Sequence, residues 1–438
     1  DPSYFTTYID KLKAVTKEDI MRVYEKYIKN KPYLATSFVP KGQVDMITEG
    51  SIMAAIVEED IENATEVEIS EDLEEEIVIT PTKFDRSVMP KDGPDPSLNL
   101  PVVWTEELSN NMGVYGIEQN ELPLVQFNIV LRGGHYLDKM DKAGVANLVS
   151  TLMMEGTKNK TPLELEEEIE KLGASIYISA SNNEISINVN TLARNYDKVL
   201  ALVEEILLEP RWDEEEFDMA KTEITNRLLR QKADPNTLAR QAFNGLVYGN
   251  DHIFSVDRRG TTETVETITI DDLKDYYNTN FSPSVASFHI AGNINKEKVM
   301  SSLKNLETKW QAKEVEFPEY EIPASPQESK IYFVDVPGAK QSVINIGCLG
   351  LSRTDDEYYP ATVMNYKLGG SFNGYVNLIL REEKGFTYGA RTGFSGSHIP
   401  GVFKASSSVR SSATQEAVAI FKELMEQYRE GISDEDLT

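Results

Sequence analysis

The feature that most constrains this fold is that the chain repeats itself. Residues Val15–Tyr24 align with Ile268–Tyr277: each has a Thr followed three positions later by an Asp, and each is followed by a proline and a strand-like segment. Residues Leu424–Leu437 likewise align with Ile206–Phe217, where a helical run leads into an acidic helix start. Self-similarity of this kind indicates that one structural unit is used more than once. A chain of 438 residues is also too long for a single core, so we expect related modules.

Periodicity and composition divide the chain into five parts. The start at Asp1, without an initiator Met, leads us to expect a piece of a longer polypeptide. In order, we predict the tail of a preceding module at residues 1–43, an acidic linker at 44–97, a complete module at 98–312, a second linker at 313–324, and a module that stops short at 325–438.

Strand and helix patterns alternate along the two modules. Alternating apolar residues predict strands at Leu124–Arg132 and Glu184–Leu192, and helical spacing predicts a capped helix at Asp213–Gln231. The second module is predicted to begin with strands at Lys330–Val334 and Ser342–Leu349. Hairpin strands mixed with paired helices favour an α+β fold with a largely antiparallel sheet. In the tail, Thr16 is predicted to cap a helix that precedes a strand at Tyr33–Val39, the repeat's closing strand.

Charge and cysteine content exclude some functions and leave others open. A net charge of −28 argues against nucleic acid, which requires a basic face, and against an anionic membrane surface. No apolar run approaches the length of a membrane span. The single cysteine, Cys348, cannot form an internal disulfide, and its apolar surroundings predict a buried structural residue. The compartment stays open, and we favour the bacterial periplasm or cell envelope.

The most informative short segment is Leu378–Gly389. Its first part suits the last turn of a helix, which Gly385 would end. Arg381 and Tyr388 then flank the break, where a guanidinium and a phenol could reach one side of a cleft and donate hydrogen bonds to a peptide carbonyl. The same two residues also fit a surface charge and a sheet-packing aromatic, and the segment alone does not decide between these interpretations.

A second segment carries a family resemblance. Gly144–Thr157 resembles the zinc helix of the insulinase/pitrilysin family, the inverzincins, which has a His-x-x-Glu-His motif followed by Gly-Thr. Here the two His places and the Glu place between them are held by Asn147, Ser150 and Thr151. The resemblance therefore includes the frame of the motif without its metal ligands.

The remaining ligand candidates do not restore a zinc site. Asp213–Asp218 resembles the start of the family's third-ligand helix, and the nearest candidates are Asp218 and Glu223. A catalytic zinc needs about three strong protein ligands, and Asn, Ser and Thr are poor ones. The histidines are scattered and are expected to be satisfied polar residues; they are His135, His252, His289 and His398. We expect no metal in this segment, and zinc in a partner half.

The family's other hallmark is retained. Gly369–Gly374 followed by Leu380–Tyr388 resembles the segment in which the family carries an Arg and a Tyr seven residues apart, with Arg381 and Tyr388 in those places. There the pair resembles a clamp that orients the scissile carbonyl and stabilises the oxyanion. The resemblance implies modules of about six antiparallel strands with helices on one face, four of which close around a peptide.

The resemblance leads to three functional hypotheses. In the first, the chain is the non-catalytic half of a zinc metalloendopeptidase, which binds peptide and completes the active site of a zinc-bearing half in the same polypeptide or in a separate subunit. In the second, it is a non-enzymatic scaffold, like the core subunits of the respiratory bc1 complex that resemble this family. The third, an active zinc enzyme, requires ligands that the sequence does not offer.

Overall fold

The computed structural model describes residues 3–37, 39–40, 42–53, 85, 93–94, 97, 99–321, 328–433 and 436. Two units are distinguished, Asp1–Asp95 and Pro96–Thr438. The acidic run at 58–76 and the extended piece predicted at 77–80 lie outside the described residues. The five-part division of the chain stays a prediction.

The first unit contains two helices, α1 (Ser3–Lys13) and α2 (Lys17–Tyr27). Thr16 caps α2 as predicted: its side chain accepts the backbone N–H of Asp19, whose carboxylate accepts the N–H of Thr16 in return. No residue of α2 is buried. The strand predicted at Tyr33–Val39 is wrong, since its described residues form no strand.

The second unit begins with the six-stranded module, which we define as residues 99–321. Its elements, in chain order, are β1 (Trp104–Glu107), β2 (Gly113–Glu118), β3 (Leu124–Arg132), α3 (Val145–Leu152), α4 (Pro162–Lys171), β4 (Ser175–Ala180), β5 (Glu184–Leu192), α5 (Tyr196–Leu208), α6 (Glu214–Gln231), α7 (Pro235–Tyr248), α8 (Thr262–Thr267), α9 (Ile270–Asn280), β6 (Ala286–Gly292), α10 (Lys296–Ser302) and α11 (Lys304–Lys309).

The sheet of this module has the strand order β1-β2-β6-β3-β5-β4. All neighbouring strands are antiparallel except β2 and β6, which are parallel. Alternate residues of β3 are buried, from Val125 to Leu131, and they share one core with helices α3, α5, α6 and α9. The α+β fold with a mostly antiparallel six-stranded sheet is therefore confirmed.

The three-stranded module, residues 328–433, follows. Its elements are β7 (Gln341–Leu349), α12 (Tyr358–Asn365) with π-helical turns at Tyr366–Gly370, α13 (Tyr375–Asn377) with π-helical turns at Leu378–Glu383, β8 (Thr387–Phe394), β9 (Val402–Arg410) and α14 (Thr414–Tyr428). The antiparallel order β7-β9-β8 repeats the order β3-β5-β4 of the larger sheet.

The strand predicted at Lys330–Val334 is not formed. Ile331 and Phe333 are 91% and 86% exposed. The physical reason is visible in the larger sheet, where β6 lies between β2 and β3. The segment before β7 is the counterpart of β2, and the described part of the smaller sheet has no counterpart of β6 with which it could pair.

Helix α7 joins the two modules. It packs on the outer face of β7 and β9, where a Cβ added at Gly347 would lie only 3.0 Å from a ring carbon of Phe243. Ser408 on β9 lies 3.2 Å from the Asn236 side chain of the same helix. A Cβ at Gly347 would also lie 2.0 Å from the carbonyl oxygen of Phe403, so the glycine is required by the neighbouring strand β9 as well as by the helix.

A buried acid and histidine fasten α3 in place. The Asp138 carboxylate accepts the backbone N–H groups of Gly144 and Ala146, both at 2.9 Å, and lies 2.8 Å from Nδ1 of His135. Nε2 of His135 faces the carbonyl oxygen of Ile253 at 3.1 Å. Burial raises the pKa of Asp138, and its hydrogen bonds oppose that rise. His135 is thus a satisfied structural residue, as the sequence predicted.

We expect Asp138→Ala to lower the free energy of unfolding of the six-stranded module by about 3 kcal/mol, because it leaves buried donors without an acceptor. Denaturant unfolding followed by tryptophan fluorescence measures this, since all three tryptophans, Trp104, Trp212 and Trp310, lie in that module. Asp218→Asn, on the exposed face of α6, is the control, with an expected change below about 0.5 kcal/mol. Equal effects of the two changes would contradict the assigned role of Asp138.

Candidate functional site

The segment around Arg381 and Tyr388 forms a helix end followed by a strand. Gly385 has φ of +60°, a left-handed conformation that suits glycine. Its N–H donates to the carbonyl of Arg381 at 3.1 Å, and the N–H of Phe386 donates to that of Leu380 at 2.9 Å. The predicted stop at Gly385 is therefore observed. Arg381 lies in the last helical turn, and Tyr388 is the second residue of β8.

A bulge in β8 carries Tyr388. The register with β9 shifts between the pair Thr387–Val409 and the pair Ala390–Ser407, so the chain has one extra residue at Tyr388 and Gly389. The Tyr388 side chain is 91% exposed. Because β8 is also an edge strand of the described sheet, the phenol lies beside a strand edge that pairs with no described strand.

Arg381 is oriented by an aromatic ring. Its guanidinium carbon lies 4.7 Å from the ring centroid of Phe372, and its Nε lies 3.3 Å from a carboxylate oxygen of Glu382. Such stacking orders a guanidinium while leaving its other N–H groups available. Both Phe372 and the neighbouring carboxylate are exposed, so a ligand can approach the arginine from solvent.

Asn377 connects the supports of the two candidate residues. It is 3% exposed; its Nδ2 donates to the carbonyl of Phe372 at 2.7 Å, and its Oδ1 accepts the N–H of Ala390 at 3.1 Å. One amide therefore holds both the loop beneath Arg381 and the strand at the end of the Tyr388 bulge. Sequence reasoning missed this residue, although an Asn between the apolar Val376 and Leu380 of a helix was a usable signal.

The glycines before α13 are required by packing. A Cβ at Gly374 would lie 2.7 Å from the Cα of Gly369, and one at Gly369 would lie 2.7 Å from the hydroxyl of Thr392. Thr392 in turn donates to the Asn365 side chain at 2.6 Å. The loop at Gly369–Gly374 is thus folded tightly against β8.

The degenerate metal positions lie on α3, which packs on α6. The hydroxyl of Ser150 donates to the carbonyl of Ala146 at 2.9 Å, and that of Thr151 donates to the carbonyl of Asn147 at 3.1 Å. Both hydroxyls are therefore used within the helix itself. Asn147 is half-buried on the same helix.

The third-ligand candidates do not complete a site. Asp218 is exposed on α6, and Glu223 pairs with Arg227 at 2.7 Å. Burial raises the pKa of the nearby Glu155, and the negative charges of Glu216 and Glu223 add to the shift. Across the described ranges no group of three or more His, Cys, Asp or Glu is placed to hold a metal ion. The residues present do not fit a catalytic zinc.

A second sequence prediction about the three-stranded module is also wrong. Cys348 was expected to be buried, but it is exposed. Its counterpart in the nine-residue strand β3 is the buried Leu131, which helix α9 covers. No described helix covers Cys348 in that way.

Within the same described residues, no helix has the length and hydropathy needed to cross a membrane.

Two family models match this chain. Residues 117–253 match the model of insulinase, peptidase family M16, and residues 267–438 match the model described as the peptidase M16 inactive domain. The first match covers α3 and α6, and the second covers the segment with Arg381 and Tyr388.

Among the curated proteins that this chain resembles are two from bacteria. A Helicobacter pylori protein described as the non-peptidase homolog YmxG is 22% identical over 323 residues, covering 73% of this chain and 74% of that protein. An uncharacterized zinc protease of Streptomyces coelicolor is 22% identical over 302 residues, covering 67% of this chain and 65% of that protein. The chain thus spans about two-thirds to three-quarters of these relatives.

Similar solved structures share the fold. The peptidase M16 inactive domain from Pseudomonas fluorescens has a TM-score of 0.71 at 21% identity, covering 76% of this chain and 81% of that one. The periplasmic protease PqqL from Escherichia coli has a TM-score of 0.62 at 17% identity. In that case the match covers 76% of this chain but only 38% of PqqL, so the same architecture occurs as part of a longer protease.

We expect Asn377→Ala to loosen the site without unfolding the module. Hydrogen exchange should rise at the amide of Ala390, and the free energy of unfolding should fall by about 1 to 3 kcal/mol, because the N–H of Ala390 loses its acceptor and the carbonyl of Phe372 loses its donor. Asn373→Ala, an exposed neighbour in the same loop, is the control. Unchanged exchange at Ala390 in the Asn377 variant would rule out the connecting role.

Proposed function

Since the chain belongs to the M16 (insulinase) peptidase family, we propose that it acts as the non-catalytic half of a zinc metalloendopeptidase. In this role it binds a peptide and completes the active site of a zinc-bearing half through Arg381 and Tyr388. The observation that carries the proposal is that Arg381 and Tyr388 are accessible and share the buried support of Asn377, while no group of three or more possible metal ligands is found among the described residues.

The donor pair suits the chemistry of peptide hydrolysis. Attack of water on a peptide carbonyl develops negative charge on its oxygen, and preformed N–H and O–H donors stabilise that charge. Arg381 supplies a permanent positive charge and several donors, and Tyr388 supplies a neutral O–H donor. A peptide that adds as a strand to the free edge of β8 would pass beside Tyr388, with main-chain hydrogen bonds providing affinity.

In this proposal the zinc that activates the hydrolytic water must be supplied by another part of the protease. The positions Asn147, Ser150, Thr151 and Asp218 offer no ligand set for zinc, so the metal would be held by a partner half, in the same polypeptide or as a separate subunit. The 38% coverage of PqqL supports an arrangement in which this architecture is one part of a larger protease.

A second candidate function is a non-enzymatic scaffold of the same fold. It is favoured by the similarity to the Helicobacter protein described as a non-peptidase homolog. A scaffold does not require hydrogen-bond donors at Arg381 and Tyr388. Loss of catalysis on removing those donors therefore separates the two functions.

The proposal is tested by mixing the chain with its zinc-bearing half and assaying a quenched fluorescent peptide. We expect Arg381→Ala and Tyr388→Phe each to lower kcat by about a hundredfold, since each removes one donor to the oxyanion. Arg429→Ala and Tyr177→Phe, which alter exposed residues of the same two types away from the candidate site, are the matched controls and should leave kcat unchanged. Turnover that is unaffected by the first pair of changes would refute the clamp.

The third hypothesis, an active zinc enzyme, is tested by metal analysis. After incubation with zinc and dialysis, the isolated chain should retain far less than one equivalent, because too few strong ligands are available. Mass spectrometry of the metal content gives the result. One tightly held zinc per chain would require a ligand set different from the one considered above.

A further inference from the structure

A group of basic side chains lies on the outer face of the three-stranded sheet. The inward-facing residues of β9 belong to the core, and Lys404 lies on the opposite face, half-buried. Arg391 of β8 is exposed on the same face, one step along the strand from Gly393, the partner of Lys404. Arg240 of α7 adds a positive charge that acts on Lys404. We call Lys404, Arg391 and Arg240 the basic cluster.

Two members of the basic cluster have no acidic partner. Within the described residues, neither Lys404 nor Arg391 forms an ion pair or a side-chain hydrogen bond. Arg240 pairs with Asp257 at 3.3 Å, but that carboxylate is shared with Arg259. Burial lowers the pKa of the Lys404 ammonium, and the charge of Arg240 lowers it further. A bound carboxylate would therefore stabilise the charged lysine.

The elements around the cluster also lack acidic residues. Strands β7, β8 and β9 and helix α7 contain no Asp or Glu. Residues 384–415 contain no acidic residue and four basic ones, which are Lys384, Arg391, Lys404 and Arg410. The whole chain has 72 acidic and 44 basic residues, so this surface is opposite in sign to the chain as a whole. At physiological ionic strength, charges beyond about 8 Å are largely screened, and the local cluster decides which ligands are attracted.

There is open space beside Lys404 on the side of β8. Gly393 pairs with Lys404, and a Cβ added at Gly393 would meet no heavy atom within 4 Å. On the other side of Lys404, the ring of Phe243 on α7 lies against Gly347 of β7. Lys404 thus lies between a covered strand and an open one, and a ligand can reach it across β8.

The edge of β8 allows a peptide to approach from that side. Strand β8 is the counterpart of β4, which is itself the last strand of the six-stranded sheet. In both modules this strand therefore has one edge that pairs with no described strand. A peptide that adds to β8 points alternate side chains to the two faces of the sheet, so every second residue lies on the face of the basic cluster.

We propose that the outer face of β8 is a subsite for two acidic side chains of a bound peptide, in the pattern acidic-x-acidic. A carboxylate on the residue opposite Arg391 would pair with the guanidinium. A glutamate opposite Gly393 would reach over the glycine to the ammonium of Lys404. This subsite rests on the proposed function, since it needs a peptide strand at β8, and it names the class of peptide that the chain selects.

Anisotropy of three fluorescein-labelled peptides, measured with the full chain, tests the subsite. The peptides are identical except for a Glu-x-Glu pair, a Gln-x-Gln pair, or two adjacent glutamates. We expect the Glu-x-Glu peptide to bind about tenfold more tightly than the Gln-x-Gln peptide, because it gains two charge-assisted contacts. The peptide with adjacent glutamates has the same charge but presents only one carboxylate to the outer face, and it should lose most of the gain.

Variants of the chain locate the contact. Lys404→Gln and Arg391→Gln should each remove most of the gain, and Lys404→Arg should keep it. Lys422→Gln, which alters an exposed lysine of α14, is the control and should leave the gain unchanged. Equal affinity for the Glu-x-Glu and Gln-x-Gln peptides would overturn the subsite. So would a gain that survives both glutamine substitutions in the cluster.

Turnover of the same peptides with the zinc-bearing half separates the subsite from the proposed function. A kcat/KM that follows the order of affinities supports both. Equal kcat/KM for the three peptides, with turnover still lost in Arg381→Ala, would overturn the subsite and leave the proposed function standing. A preference for Glu-x-Glu in binding, with turnover indifferent to Arg381→Ala, would overturn the clamp and leave the subsite standing. Binding of none of the peptides would overturn both.

Discussion

The arrangement of the six-stranded sheet depends on its last strand, β6, and on α9, the helix that precedes β6. In the six-stranded module β6 pairs with β2 on one side and with β3 on the other, and α9 fills the space above Leu131. Strand β6 thereby joins the pair β1 and β2 to the three strands β3, β5 and β4 in one six-stranded sheet. The described part of the three-stranded module has no counterpart of these two elements, β6 and α9. There the segment before β7 forms no strand, and a cavity is open beside Cys348.

The candidate site is built in the part of the module that does not need those elements. Arg381 and Tyr388 belong to a helix end and an edge strand, and Asn377 ties the two together from beneath. The core behind them is closed by the apolar residues of α13, β8, β9 and α14. The backbone that carries Arg381 and Tyr388 is therefore supported by the described three-stranded module alone.

Local chemistry was readable from the sequence, and long-range pairing was not. The cap at Thr16, the stop at Gly385 and the strand at Leu124–Arg132 follow from neighbouring residues, and the structure has them as predicted. The strands predicted at Tyr33–Val39 and Lys330–Val334 are wrong because alternation shows a preference for extended backbone without supplying a partner. The burial of Cys348 was misjudged for the same reason. The parallel pairing of β2 with β6 leaves no mark in either strand alone. The roles of Arg381 and Tyr388 stay predictions.

The parallel pair also has a consequence for how the chain acquires its structure. Gly113 of β2 pairs with Ser287 of β6, so most of the module must be synthesised before the middle of its sheet can form. Contacts between residues so far apart in sequence slow folding, because the intervening loop must be closed before the pairing is gained. During synthesis on the ribosome, β1 and β2 can pair with each other, but the other edge of β2 has no partner and is exposed to aggregation until β6 emerges. Biogenesis of such a module is therefore governed by its last strand.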